Sequence, residues 1–140
     1  MRAIGLDLGE RRIGVALSDS AGTMATPYEL LLRSGDRARD HARIVALADE
    51  AGAELVVVGL PLSLDGSRGP AARHVEDEVR ELEERLDIPV RLQDERLSTV
   101  EATKRLHAAG VPRAKRRQLV DQVAATVILQ SWLDANIPRR

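Results

Sequence analysis

A chain of 140 residues is near the modal size of one domain and long enough to bury roughly two-thirds of the surface that its unfolded form exposes. Hydrophobic residues make up 44% and charged residues 31%, mean hydropathy is −0.22, and nothing approaches the run of about 18 apolar residues that a membrane span needs, so a water-soluble globular protein with no membrane role is expected. The formal net charge is only −1, there is no cysteine to form a disulfide or act as a thiol, and Met1-Arg2 runs into a strand pattern interrupted by Asp7, which excludes a secretory signal and makes the cytoplasm the expected compartment.

Residues 2–8 alternate, with Ile4, Leu6 and Leu8 on one face and Ala3, Gly5 and Asp7 on the other; residues 13–18 repeat the alternation across the short "GERR", which predicts a hairpin. A third strand is expected near "YELLLR", after Pro27. Residues 36–51 have helical spacing and stop at Gly52, and "ELVVVGL" then reads as a strand over 54–60 that is buried on both faces, hence parallel and central. "PLSLDGSRGP" is a Gly/Pro-rich loop, and Pro70 suits the first turn of a helix reaching about Leu86. "PVRLQ" is a further short strand, and helices near 99–109 and 115–135 are separated by "GVP". Three meandering strands followed by alternating helix and strand describe a single α/β domain over 1–140, a mixed five-stranded sheet with strands 1–3 antiparallel, the later ones parallel, and helices on both faces.

Charge is segregated along this order. From His74 to Asp87 seven acids face two bases, whereas from Arg96 to Gln118 seven bases face one acid, Glu101. One basic face is therefore expected. Of the 21 basic residues 19 are Arg, a bias that suits bidentate phosphate contact and that a GC-rich genome would also produce.

Three carboxylates remain conspicuous. Asp7 interrupts a buried strand, where an unpaired carboxylate costs several kcal/mol; an Asp near a strand end can also cap or pair. In the last helix Gln122, Thr126 and Gln130 cluster in one arc, and Asp121 lies roughly 140° from its centre, among Ala124, Ala125, Ile128 and Trp132. An N-terminal cap or a buried pair with Arg would account for Asp121 as well. In "LQDERLST" Asp94 and Glu95 follow a strand; Ser98 or Thr99 can cap the next helix, which leaves Glu95 without a capping role. If these acids converge they need a cation, and oxygen-only ligation selects Mg²⁺ or Mn²⁺; two such ions about 4 Å apart would clamp a phosphoryl displacement.

Other features are compatible with a phosphate-bearing substrate. Gly59, Ser63 and Gly66 belong to a segment whose backbone N–H groups could approach a phosphate or simply form a tight loop, and Arg11, Arg12, Arg96, Arg113, Lys115, Arg116 and Arg117 could grip flanking phosphates or be solvated. The three His lack metal-ligand spacing and receive no role. With one Trp and one Tyr, a base-stacking platform is excluded, so recognition should run through backbone and shape.

"GLDLGERRIGVALSD", "VVVGLPLSLDGS", "DERLST" with Glu101-Ala102, and "VDQVAATVILQSWL" resemble, in order and spacing, the motifs of the YqgF/RuvX family of RNase H-like nucleases over essentially the whole chain. The resemblance implies an RNase H-like fold with Asp7, Glu95 and Asp121 as catalytic, metal-binding acids. It implies a metal-dependent nuclease that matures the 5′ end of the 16S ribosomal RNA precursor in ribosome biogenesis, or, by similarity to RuvC, a Holliday junction resolvase acting in DNA recombination and repair. RuvC-type enzymes usually offer a fourth acid one helical turn after the last, where this chain has Ala124 and Ala125, so its acidic set is smaller. RNA, possibly also branched DNA, is the expected partner, with Mg²⁺ or Mn²⁺ as cofactor and a monomer or weak homodimer as the assembly. A non-catalytic RNA-binding or transcription-associated factor would not require intact acids, and a sugar-kinase or actin-type ATPase, which shares the Asp-x-Gly hairpin, would not fit its second lobe into 140 residues.

Overall fold

The computed structural model describes residues 1–96 and 98–136, with the side chains of 98, 99, 117 and 118 left out of account. Five strands, β1 (Ala3–Leu8), β2 (Arg12–Ser18), β3 (Ala25–Leu32), β4 (Leu55–Leu60) and β5 (Val90–Asp94), form one sheet in the order β3-β2-β1-β4-β5. The pairs β1–β2 and β2–β3 are antiparallel, and β4 lies parallel to both β1 and β5. Helices α1 (Arg37–Ala51) and α2 (Pro70–Glu83) cover one face; α4 (Arg113–Asn136) crosses the other and packs against α3 (Ser98–Ala108). No described helix is long and apolar enough to cross a membrane.

The alternation of β1 and β2 produces this layering. Ile4, Leu6, Leu8, Ile13 and Val15 meet Ile44 and Ala48 of α1 and Val75, Val79 and Leu82 of α2, whereas Ala3 and Ala16 meet Ala125, Ile128 and Leu129 of α4. β4 is buried on both sides as its unalternated run predicts, with Val56 and Val58 in the first core and Leu55 and Val57 in the second. α1 is capped at Asp36, whose carboxylate accepts from the N–H groups of Ala38 and Arg39, and ends at Gly52 in the left-handed region, φ 65°.

Two elements differ from the sequence reading. β3 starts at Ala25, before Pro27, because it is an edge strand whose ladder tolerates a missing donor; a register shift between Val15 and Ala16 accommodates it. α2 ends at Glu83 rather than near Leu86, the chain continuing through a turn in which Leu86 N–H donates to the Glu83 carbonyl. The capping roles considered for Ser98 and Thr99 rest on side chains outside those described.

The α4 face of the sheet is built from small residues because the helix lies nearly on the backbone. A Cβ at Gly14 would stand 2.0 Å from the Asp121 carbonyl oxygen, and one at Gly5 would stand 2.6 Å from Leu129 Cβ. Such contacts cannot be relieved by turning a side chain. Gly14→Ala should therefore destabilise the protein by at least the ~1–3 kcal/mol typical of overpacking, and by more than Gly5→Ala, as read from urea unfolding midpoints at constant m-value. An unchanged midpoint for Gly14→Ala would mean that α4 sits farther from the sheet.

Candidate active site

β1, β4 and β5 run parallel, so their carboxyl ends open on one edge, and the acids collect there. Asp7 is the penultimate residue of β1 and only 8% exposed, on the α4 side. Glu95 follows β5 directly and is fixed by its own N–H, which donates to the Leu60 carbonyl at 3.1 Å. Asp121 arrives from α4 well inside the helix, which removes the N-cap explanation. These three side chains and Glu10, His74 and Arg96 line a cleft of about 620 Å³, with Pro61, Leu62, Pro70 and Ala71 on its far wall.

Glycine again makes the room. A Cβ at Gly9 would lie 3.2 Å from Asp121 Oδ2, and one at Gly59 would lie 2.8 Å from Glu95 Oε2. Gly59 is thus a strand residue that leaves space for Glu95, within β4 rather than in the loop.

The three carboxyls perturb one another. Burial, then the charges of Glu95 and Asp121 and a hydrogen bond with Asp121, push Asp7 up to about 8. Burial and the charges of Asp121 and Asp94 push Glu95 up to about 7. Asp121 is also raised by burial, against the opposing effects of its hydrogen bond with Asp7 and of the Arg12 guanidinium. The shared hydrogen bond raises Asp7 and lowers Asp121, so Asp7 is the protonated donor of the pair near neutral pH. Among the described residues no ion pair within 4 Å reaches any of the three, and the cation acting on Asp121 is the more distant Arg12 guanidinium.

The donor set suits a hard divalent cation: all oxygen, largely buried, and kept neutral only by retaining protons that a cation would displace. As placed, no three His, Asp or Glu among the described residues form a ready-made cage, and the Asp7–Asp121 proton must leave before both can ligate. Asp94 is otherwise engaged. Its oxygens accept from Arg96 N–H at 2.9 Å and from Arg96 Nε at 2.9 Å, and this hydrogen bonding holds its carboxyl below the ordinary value.

The remaining candidates are distributed unevenly. Arg96, bound to Asp94, also donates to the Leu64 carbonyl at 3.1 Å and so ties the loop after β4 to the end of β5. The N–H groups of Ser63 and Gly66 are used within that loop, donating to Ser67 and Ser63 carbonyls, and neither residue lines the cleft. Arg12 is half-buried near Asp121, while Arg11 is exposed and faces a neighbouring depression of about 690 Å³ on the far side of the β1–β2 turn. Arg113 and Lys115 are exposed at the start of α4, Arg116 lies 2.8 Å from His107 Nδ1, and the Arg117 side chain is outside those described.

Sequence reasoning missed His74 and Glu10 in the cleft, and it did not foresee that the polar arc of α4 is packed. His74 shares a helical face with Pro70 and Ala71, and that i, i+4 and i, i+3 spacing was the available signal. Thr126 is buried with its hydroxyl donating to the Gln122 carbonyl, and Gln130 bridges to β3, accepting from Ala25 N–H and donating to the Thr23 carbonyl, both at 2.9 Å.

Residues 1–135 match the RuvX family model, described as "Holliday junction resolvase". A Myxococcus xanthus protein named "Putative pre-16S rRNA nuclease" is 48% identical over 138 residues, covering 99% of this chain and 91% of that protein. One of the same name from Halothermothrix orenii is 46% identical and covers 96% and 95%. Among solved structures, Thermus thermophilus RuvC in complex with a Holliday junction substrate aligns with a TM-score of 0.60 at 18% identity, over 98% of this chain and 96% of that one, which shows the shared fold.

The raised carboxyls set a sign for the effect of pH. Their folded values lie above their unfolded ones, so the unfolded chain loses protons first and stability falls as pH rises from about 4 to about 8. In the absence of divalent ions, Asp7→Asn should flatten this decline and raise the melting temperature at pH 8 by several degrees. Melting curves across that range check it; an Asn variant less stable than wild type at pH 8 would contradict the shared-proton arrangement.

Proposed function

The chain belongs to the RuvX family, and from that premise we propose that it is a divalent-metal-dependent nuclease of the cytoplasm that hydrolyses phosphodiester bonds during 5′-end processing of the 16S ribosomal RNA precursor. The observation that carries this reading is the convergence of Asp7, Glu95 and Asp121 in one cleft at the carboxyl edge of the parallel strands. The relatives' printed names support the RNA substrate.

Asp7, Glu95 and Asp121 are the residues that would hold Mg²⁺ or Mn²⁺, and such an ion, when bound, polarises a phosphoryl oxygen and acidifies water. The chain itself supplies the rest. Asp7 and Asp121 give up their shared proton, and Glu95, in the same cleft, either shares the cation with them or accepts a hydrogen bond from the attacking water and orients it. A bond forms between that oxygen and phosphorus, and one ester P–O bond breaks to leave a phosphate on one fragment, while the proton lost by the water ends on the departing oxygen as the hydroxyl of the other. Arg12 offsets negative charge at Asp121, and the basic start of α4, with Arg113, Lys115 and Arg116, is suited to flanking phosphates.

A second reading, resolution of four-way DNA junctions, is favoured by the family description and by the RuvC fold. It requires two acid clefts held at fixed separation across a two-fold axis. The smaller acidic set, with buried Ala124 and Ala125 after Asp121, favours a monomer or weak dimer cutting single-stranded RNA. Wild-type protein with Mn²⁺ should cleave precursor RNA faster than it resolves a cruciform, and Asp7→Asn or Asp121→Asn should reduce cleavage at least 100-fold while the protein stays folded. Coupled symmetric incision of the cruciform by a stable dimer would move the junction reading to first place, and full activity in both Asn variants would overturn the nuclease centre.

A further inference from the structure

Behind the cleft, on the α1–α2 side of the sheet, a second polar cluster is buried in an otherwise apolar interface. Glu78 of α2 is 1% exposed, and its two oxygens receive both Nη groups of Arg33 at 2.9 Å and the His41 Nε2 at 2.8 Å. Burial pushes this carboxyl up, but the hydrogen bonds from Arg33 and His41 outweigh it and hold the group below its ordinary value, so the cluster contains a true carboxylate. A buried ion pair of this kind contributes little net stability over apolar residues of the same volume. Its retention invites another explanation.

The explanation lies in the third edge of the guanidinium. Arg33 Nε donates to the Gly9 carbonyl at 2.7 Å, and Arg33 backbone N–H donates to the Arg11 carbonyl at 2.9 Å, so one residue just after β3 grips the β1–β2 turn at two points. Gly9 is the glycine whose missing Cβ leaves room for Asp121 Oδ2, and it follows Asp7 by two residues. The turn is therefore held from behind by Arg33 and faced from the front by Asp121. With both Nη groups committed to Glu78 and α2 anchored in the core through Val75, Val79 and Leu82, the guanidinium cannot rotate away.

We infer that Arg33, locked by Glu78 and His41, is a positioning residue for the acid site: it fixes the Gly9 turn, and with it the spacing of Asp7 from Asp121, for a divalent cation. This rests on the metal reading given above. A lysine at 33 could reach Glu78 or the Gly9 carbonyl but could not make the three-edged contact of a guanidinium.

Calorimetric titration of Mn²⁺ into wild type, Arg33→Lys and the double variant Arg33→Met/Glu78→Met separates the outcomes, because the double variant removes both charges of the Arg33–Glu78 pair together, leaving only the His41 ring without its partner. Both variants should bind Mn²⁺ about 10- to 100-fold more weakly than wild type, the range typical of residues that orient metal ligands. The double variant should stay folded, with a lowered melting temperature that reflects the buried His41 ring left without Glu78. Wild-type affinity in both variants would overturn the positioning role while leaving the metal site intact. Failure of wild type itself to bind Mn²⁺ would overturn the metal reading and this inference with it. Arg33→Lys retains a cation for Glu78, so it gives the answer should the double variant not fold.

Discussion

The closest constraint in this molecule is the seating of α4 on the sheet, where the Asp121 carbonyl oxygen occupies the space that a Cβ of residue 14 would take. A helix backbone comes this near a strand only over glycine, and the surrounding face is small for the same reason: Ala3, Gly5 and Ala16. That seating sets the depth at which Asp121 enters. It also accounts for the hairpin, since Gly14 lies opposite Asp7 in the β1–β2 register, so the strand that admits the helix is the one paired with the strand that carries the first acid.

The cleft trades local stability for chemistry. Most of the sheet follows ordinary rules of burial, with large aliphatic side chains on the α1–α2 face. At the carboxyl edge those rules are broken, and carboxyls are packed until burial and mutual repulsion hold protons on them near neutrality. An arrangement that resists ionisation on its own is one that a divalent cation would stabilise strongly, because the cation replaces protons and repulsion together. The same edge keeps Asp94 ionised and neutralised by Arg96 two residues on, so neighbouring carboxylates in one segment acquire different chemical roles.

Much of this was legible in the sequence where the determinant is local. Period-two alternation assigned Ala3, Gly5 and Asp7 to one face, the helical spacing over 36–51 stopped at Gly52, and the unbroken run in β4 announced burial on both sides. Asp121 stood out because a carboxylate among alanines and isoleucine has no reason to be on a packed helix stripe. Contacts between distant segments were not legible. Nothing near Glu78 in sequence announces that it faces Arg33, 45 residues earlier, or that His41 closes the same cluster, and within α2 it reads as one more acid on an acidic helix. Nor does its place in the polar arc of α4 announce that Gln130 bonds the backbone of residues 23 and 25.

The most direct test of the central claim is anomalous diffraction from crystals of the wild-type protein grown or soaked with Mn²⁺. The account predicts anomalous density in contact with the carboxyl oxygens of Asp7, Glu95 and Asp121. Density only at other carboxylates, with none against these three at saturating Mn²⁺ and pH 8, would contradict it.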